Sequence, residues 1–520
     1  MKNPSDNSVV VIGAGVGGLC AAVRLAAAGL RVTVVEQAAA PGGKMRTLPG
    51  PAGPVDAGPT VLTMRAVFDE VFAVAGGRLE EHLTLIPQPV LARHWWADGS
   101  RLDLFSDPEA SAAAIADFAG ARAADEFRRF QRLSAQLHAA FEGPVIQAAR
   151  PRLATVVWNA LANPRLWRAL QPGMTLSRHL QGIFTDPRLR QLFGRYATYV
   201  GGAPDLSPAV LSVIWAVEEQ GVWAVQGGMH RLAQELAALA VRLGASIDYN
   251  VAARRIDRQG GRVHAVEVSD GRLLTCDRVV FNGDPAALLA GLLGNGPQGA
   301  LKPAAAHPRS LSAWVWAFAA RPQGPELLHH NVFFCDDPGR EFGPIAAGQM
   351  PEQATLYLCA QDRSAGPPIR GAQERFEIIL NAPPKTTASP GETLQCRNRT
   401  FPHLARFGLT FDAAPPDSAL TTPQGFAQLF PGSQGLLYGR SPMGLVAAFQ
   451  RPGARTGLPG LYLAGGGAHP GAGVPMAALS GRHAAEAILS DLTSASKLRP
   501  TAMPGGMSTG SRTTGRAPSR

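Results

Sequence analysis

A β-branched apolar run, Ser8-Val9-Val10-Val11-Ile12, leads directly into Gly13-Ala14-Gly15-Val16-Gly17-Gly18 near the start of the chain. An Ala/Leu-rich stretch from Leu19 to Ala28 follows and is stopped by Gly29; Arg31 to Val35 then ends in Glu36. The pattern is strand, G-x-G-x-x-G, helix, strand, acid, and the first strand has the continuous apolar character of a buried parallel strand. Each part has a physical task. Gly13 makes the tight turn, Gly15 lets a pyrophosphate approach the backbone, and Gly18 lets helix and strand pack closely. Free N–H groups at the helix N-terminus face the phosphates. Glu36 is placed to accept hydrogen bonds from ribose hydroxyls and would repel a 2′-phosphate. The unit predicts an α/β, Rossmann-like domain that binds a dinucleotide.

A second glycine cluster decides which dinucleotide. Pro41-Gly42-Gly43-Lys44 comes soon after Glu36, followed by Val55-Asp56-Ala57-Gly58-Pro59-Thr60. Bare backbone there suits a flavin's ribityl chain and ring, and a nicotinamide domain has no use for it. FAD is therefore expected as cofactor, with Gly13, Gly15, Gly18, Glu36, Gly42, Gly43, Lys44, Asp56, Gly58, Pro59 and Thr60 around it. Near the other end, Gly460 to Ala464 reads as a buried strand. It feeds Gly465-Gly466-Gly467-Ala468-His469-Pro470-Gly471-Ala472-Gly473-Val474-Pro475 and then a helix from Met476 to about Leu492. A Gly-rich loop entering a helix N-terminus is an anion site. If the flavin ring ends there, the helix dipole stabilises negative charge on reduction. Gly465, Gly466, Gly471, Gly473 and Val474 join the expected site.

Between these ends, Leu91 to Trp96 and Arg101 to Phe105 flank Asp98-Gly99 as a hairpin. Residues 107–141, 150–200 and 228–244 read as helical. Strands are expected at 247–256, 263–268 and 273–281, with turns at Gly260-Gly261 and Asp270-Gly271. Residues 300–440 are mixed and broken by proline, and their topology is not legible.

Composition narrows the function. Five cysteines, Cys20, Cys276, Cys335, Cys359 and Cys396, lie far apart with no C-x-x-C spacing. That argues against a disulfide scaffold or a metal site and for a reducing cytoplasm. The net charge is +10. Lys497, Arg499, Arg512, Arg516 and Arg520 concentrate part of it in a Gly/Ser/Thr/Pro-rich tail without acids, which reads as disorder. No basic stripe suited to nucleic acid is visible. The apolar run Val9–Val23 falls short of the ~20 residues a spanning helix needs.

The motifs also carry a resemblance. The G-A-G-V-G-G at 13–18, D-A-G-P-T at 56–60 and G-A-H-P-G-A-G-V-P at 467–475 resemble the bacterial and fungal phytoene desaturases, within the amine oxidase and carotenoid desaturase superfamily. Tyr199-Val200-Gly201-Gly202 and Gly221 to Met229 fit as well, so the likeness runs over roughly residues 8–492. Leu91 to Gly99, Trp223 to His230 and Glu374 to Pro384 look most like the hydroxyneurosporene desaturase branch, the 1-hydroxycarotenoid 3,4-desaturases of phototrophic bacteria. The resemblance implies FAD as sole redox cofactor, an acyclic hydroxycarotenoid substrate, and quinone or oxygen as electron acceptor. It also places Val251 at the adenine. It implies a discontinuous FAD domain (1–90, 225–295, 440–492), an interleaved α+β substrate domain (91–224, 296–439) and a disordered tail (493–520). The rival functions are a phytoene desaturase, another flavin amine oxidase-like enzyme, and a prenyl-binding escort protein without flavin.

The family's proposed acid–arginine pair has no counterpart in Val156 to Asn163, so no acid or base is carried over. His469, in the flavin loop, is the candidate catalytic group; Glu218, Glu219 and His230 are further candidates, and a structural role is open for each. The substrate of such an enzyme dissolves in a bilayer, so a peripheral membrane contact is expected. Ala148 to His179 is acid-free and carries Arg150, Arg152, Arg165, Arg168 and Arg178. Trp158 and Trp167 stand there among Leu153, Val156, Val157, Leu161, Leu166 and Leu170. This is the composition of an interfacial element, or of a helical cap with buried tryptophans over a cleft.

Overall fold

The computed structural model describes residues 7–162, 164–369, 371–444 and 447–497. Five parallel strands form the nucleotide-binding sheet, in the order Leu461–Leu463, Arg278–Phe281, Ser8–Ile12, Arg31–Glu36, Ser246–Tyr249. Its strands are short and β-branched, and Val9, Val11, Val32 and Val34 are almost completely buried under helices, as parallel sheets require. The helix Val16–Ala27 lies on this sheet beside the C-terminal helix Val474–Lys497.

Two of the expected strands divide. The stretch 247–256 splits at Asn250, whose φ of 58° turns the chain. Ser246–Tyr249 joins the parallel sheet, and Ala253–Gln259 starts a three-stranded antiparallel meander with Arg262–Val268 and Leu273–Thr275. The stretch 273–281 divides likewise, and Arg278–Phe281 returns to pair with Ser8–Ile12. Periodicity could not separate them, because a strand pattern on each side of the break does not announce the change of sheet. The helical region 107–141 breaks at Gly120 (φ 89°) into Pro108–Ala119 and Ala121–Phe141. The last helix begins at Val474, with Pro475 in its first turn. It continues to Lys497, since neither Gly nor Pro interrupts it after Gly481. The tail expected from 493 thus begins as helix, and its residues 498–520 lie outside those described.

Residues 300–440 complete a second, seven-stranded sheet. Its order is Leu420–Thr421, Ser312–Ala320, Glu374–Ala382, Leu356–Ala360, His330–Phe333, Val90–Trp95, Arg101–Phe105. The pairs are antiparallel except His330–Phe333 with Val90–Trp95. One face packs on the helix Glu392–Arg406 through Phe333, Leu356, Leu358, Phe376 and Ile378. The other meets the helices of residues 108–219 through Val332, Phe334 and Tyr357. At its Ala317 end it meets Val55 and Ala57 of the nucleotide-binding half.

The two helices on the nucleotide sheet touch through glycine. A Cβ on Gly481 would lie 2.2 Å from the carbonyl oxygen of Gly17, and one on Gly17 would lie 2.6 Å from the Gly465 amide nitrogen. Gly481→Val is expected to destabilise the protein by about 1–3 kcal/mol, the usual cost of overpacking. The check is a thermal or urea melt, read together with bound flavin.

Candidate functional site

The structure brings the two N-terminal glycine clusters into contact. Gly13 turns the chain at φ 97°, and Gly15 stands extended at the N-terminus of helix Val16–Ala27, where no side chain caps the free amides. Gly42 donates its N–H to Ala14 and forms a β-bridge with Gly15. A Cβ on Gly18 would lie 2.2 Å from Gly13 O, and one on Gly42 2.1 Å from Met45 O. Glu36 closes this loop from below: its carboxylate accepts from the amides of Ala14 (2.7 Å) and Ala38 (2.8 Å). Burial pushes the Glu36 carboxyl up, partly offset by those amides. Val251 donates its N–H to Glu36 O, which sets it beside the acid.

The C-terminal loop arrives at the same edge of the sheet. Gly17 lies against Gly465 and Ala477, so the two helices start side by side. Val474 and Val16 share one core cluster. Two positive helix ends thus face one place. Behind the loop Arg451 is half-buried and donates to the carbonyls of Gly466 (2.8 Å), Tyr438 (3.0 Å) and Arg440 (2.6 Å). A Cβ on Gly471 would meet its guanidinium at 3.1 Å. Lys44 reaches Leu437 O, with Asp284, Arg309 and Arg451 in its electrostatic surroundings. Burial pulls the Lys44 amine down to about 8 and Arg451 to about 10. Three cations, Lys44, Arg309 and Arg451, therefore face one carboxylate, Asp284. The uncapped start of helix Val16–Ala27, glycines without room for a Cβ and surplus half-buried positive charge fit an anionic dinucleotide.

The other expected residues make the following contacts within the chain. The Asp56 carboxylate takes the amides of Met229 (2.6 Å) and His230 (3.3 Å), holding the start of helix His230–Arg242. Gly58 passes so close to Lys44 that a Cβ would lie 2.0 Å from its carbonyl oxygen. Pro59 is half-buried between Gly58 and Thr60. The Thr60 hydroxyl shares a 2.6 Å hydrogen bond with Tyr357. His469 is turned away from this turn: its Nε2 lies 2.9 Å from Ala148 O and its ring stacks on His483. Burial lowers its pKa, and its contacts place it as a brace of the flavin loop. Glu218 accepts from Tyr196 (2.6 Å), Glu219 from Gln131 (2.7 Å), and the His230 ring is bonded to Pro41 O (2.8 Å). Nδ1 of His469 is buried without a partner, and His230 stands beside the 56–60 turn through its amide bond to Asp56.

Sequence reasoning missed the residues on the facing sheet. Gln361 clamps Asp56 through both main-chain groups, at 3.0 and 2.9 Å. Glu377 and His330 lie buried on the same side of that sheet as Tyr357. An acid next to the apolar run Ile378-Ile379-Leu380, within the strand Glu374–Ala382, was the available signal for Glu377.

A family model described as flavin containing amine oxidoreductase matches residues 16–332 and 382–489. The chain belongs to this family. It is 64% identical over 489 residues to a hydroxyneurosporene desaturase of Cereibacter sphaeroides, covering 94% of this chain and 99% of that one. A hydroxyneurosporene desaturase of Rhodobacter capsulatus is 57% identical, covering 95% and 100%. A phytoene desaturase (lycopene-forming) of Pseudescherichia vulneris is 30% identical, covering 93% and 99%. Among solved structures, putrescine oxidase aligns with a TM-score of 0.59 at 14% identity, over 93% of this chain and 99% of that one. A putative protoporphyrinogen oxidase of Exiguobacterium aligns with 0.54 at 15%, over 94% and 100%. These two share the fold. The family carries a flavin.

The depressed Lys44 gives a signed expectation. If Lys44 faces the flavin's phosphates, its charge aids binding below about pH 8 and is lost as the pH rises through that value. Apoprotein titrated with FAD is expected to bind more weakly at pH 9 than at pH 7. Lys44→Met is expected to weaken binding at pH 7 and flatten this dependence; Gly15→Val is expected to abolish flavin retention.

Proposed function

We propose that this chain is an FAD-dependent desaturase acting on an acyclic 1-hydroxycarotenoid, a hydroxyneurosporene desaturase that introduces the C3–C4 double bond. The observation that carries this reading is the 64% and 57% identity, over nearly the full length of both partners, to two proteins of that name. The 30% identity to a lycopene-forming phytoene desaturase is well below both. The retained glycine clusters and Glu36 speak against a flavin-free escort protein.

Bound FAD supplies the hydride acceptor for an allylic C–H bond. The chain's own residues supply the rest. The two helix N-termini, with Lys44 and Arg451, hold the anionic cofactor and favour the negative charge that reduction adds. The 56–60 turn, tied to the second sheet by Gln361 and Tyr357, brings the substrate half against the flavin half. Aromatic and aliphatic walls exclude water and keep the polyene in line. A polyene spreads the positive charge that develops on hydride loss, so a strong base is not demanded; quinone or oxygen then takes the electrons. Purified protein is expected to be yellow and to convert 1-hydroxyneurosporene to a product absorbing at longer wavelength, with little turnover of phytoene. Coloured polyenes accumulating when the gene is placed in a phytoene-making strain would refute this branch.

The substrate reaches the enzyme from a bilayer in this reading. No helix of the described residues is long and apolar enough to cross one. The helices Leu153–Ala162 and Pro164–Leu170 support a surface contact instead. Trp158 is 73% exposed, Leu161 65% and Trp167 46%, with Leu153 and Val157 also exposed and Arg150, Arg152 and Arg178 around them. A cap with buried tryptophans would look different. Nothing is described of the side chains of Val156, Arg165 and Arg168, which belonged to the expected patch. Anionic headgroups add ~1 kcal/mol per basic residue near the surface. Binding to liposomes is expected to rise with anionic lipid and to fall in the Trp158→Ser, Trp167→Ser double variant, with flavin content unchanged. Equal binding by the double variant would exclude this patch.

A further inference from the structure

The inner face of the seven-stranded sheet carries a polar row where an apolar one is expected. His330 pairs directly with Cys359, Cys359 with Glu377, and Glu377 with Ala317. Directly paired residues point to the same side of a sheet, so the first three form one line across three strands. All three are buried: His330 is 3% exposed, Cys359 2% and Glu377 0%. The 56–60 turn lies against this face. Ala57 packs on Ala317, the Asp56 main chain is held by Gln361, and Thr60 meets Tyr357.

Two of these groups have open valences. Tyr357 OH shares hydrogen bonds with Thr60 (2.6 Å) and with Nδ1 of His330 (2.7 Å). A neutral His330 that donates through Nδ1 keeps a lone pair on Nε2, and that atom is buried without a partner. The carboxyl oxygens of Glu377 are likewise buried without a hydrogen bond of full geometry, the Gly58 amide being the group nearest to serving them. Burial, with His329 and Arg195 nearby, holds His330 well below the ordinary histidine range. Burial and the Asp56 charge hold Glu377 well above the ordinary carboxyl range, only partly opposed by Arg46. Burial thus favours the neutral, accepting form of His330 and the protonated, donating form of Glu377. Leaving such groups unmet is costly. Arg195 connects the row to the outside: its guanidinium lies over the Tyr357 ring at 5.4 Å and lines a cavity of about 480 Å³ together with Trp96 and Phe334.

A hydroxylated acyclic carotenoid has one polar group in an otherwise hydrocarbon body. Its hydroxyl is on C1, only two carbons from C3, so whatever reads it must stand close to the reacting bond. A tertiary alcohol has one O–H to give and lone pairs to receive, the complement of His330 Nε2 and a protonated Glu377. We propose that His330 and Glu377, with His330 oriented by the Thr60–Tyr357 hydrogen-bond chain, form the subsite that binds the substrate's hydroxyl and selects hydroxylated over unhydroxylated polyenes. The inference rests on the desaturase reading above. Its physical basis is asymmetric: a site built to bond a hydroxyl rejects an analogue without one, because its buried polar groups then go unpaired.

The test compares the 1-hydroxylated polyene with the same polyene lacking the hydroxyl, both in detergent micelles with purified holoenzyme. The parent enzyme is expected to favour the hydroxylated compound strongly in kcat/KM. His330→Leu and Glu377→Met are each expected to reduce that preference by on the order of 100-fold. His330→Gln, which keeps a hydrogen-bonding carboxamide, is expected to restore part of it. The ratio of dissociation constants, read by quenching of tryptophan fluorescence, should move in the same direction. If His330→Leu fails to fold, Glu377→Met decides alone. A preference unchanged in the folded variants overturns the proposal. So does an equal loss on both compounds that His330→Gln does not relieve, which marks a structural role. A parent enzyme that converts both compounds equally overturns this inference but leaves the desaturase reading standing. A yellow parent that converts neither overturns both.

Discussion

Backbone pressed on backbone is the contact on which this molecule depends. At Gly18 against Gly13, Gly42 against Met45, Gly58 against Lys44, and Gly481 against Gly17, no Cβ fits. Each approach brings a different stretch of chain to the same edge of the parallel sheet. Together they leave helix N–H groups open and allow an extended anion to lie on bare peptide. Glu36 secures the arrangement by taking two amides that the loop would otherwise leave unpaired. The cost is conformational, since glycine is the most freely moving residue in the unfolded chain. The large apolar cores around Val9–Val34 and Leu232–Leu239 offset it.

The second sheet matters because the 56–60 turn belongs to both halves. Asp56 holds the start of a helix of the nucleotide-binding half through its carboxylate, and its main chain is clamped by Gln361 of the other half. Thr60, a few residues on, is bonded to Tyr357. One short segment thus sets the spacing between the flavin cradle and the sheet that faces it. Local electrostatics follow from that junction. The glycine-rich side concentrates half-buried cations, Lys44 and Arg451, while the facing sheet carries polar groups whose burial favours their neutral forms. A cofactor that gains negative charge and a substrate that passes through a cationic stage are served by these two different surroundings.

Much of the nucleotide-binding half was legible in the linear order of residues, because its signal is local. Strand, glycine turn, helix and acid follow within a single supersecondary unit, and glycine leaves a mark in sequence wherever a Cβ is excluded. The Gly465–Gly473 loop and its helix were legible for the same reason. Boundaries were not. Asn250 divides the stretch 247–256 by adopting a left-handed conformation that no periodicity announces. The exposure of Trp158 and Trp167 could not be foreseen, since amphipathic spacing is the same for exposed and for buried residues.

The residues 300–440 mark the other limit. Their strands pair across long separations and share one face with residues from 90–105, so neither topology nor facing is encoded in any short window. His469 shows the same limit from the opposite side: it sits in the motif, yet its ring turns to Ala148 and His483. The sequence by itself determined the glycine-dependent cradle, the acid beneath it and the family, because these are properties of contiguous residues. Only the tertiary structure decided which polar groups face the cradle. His330, Cys359 and Glu377 become one row solely through register between three strands, and register is set by the packing of the whole sheet.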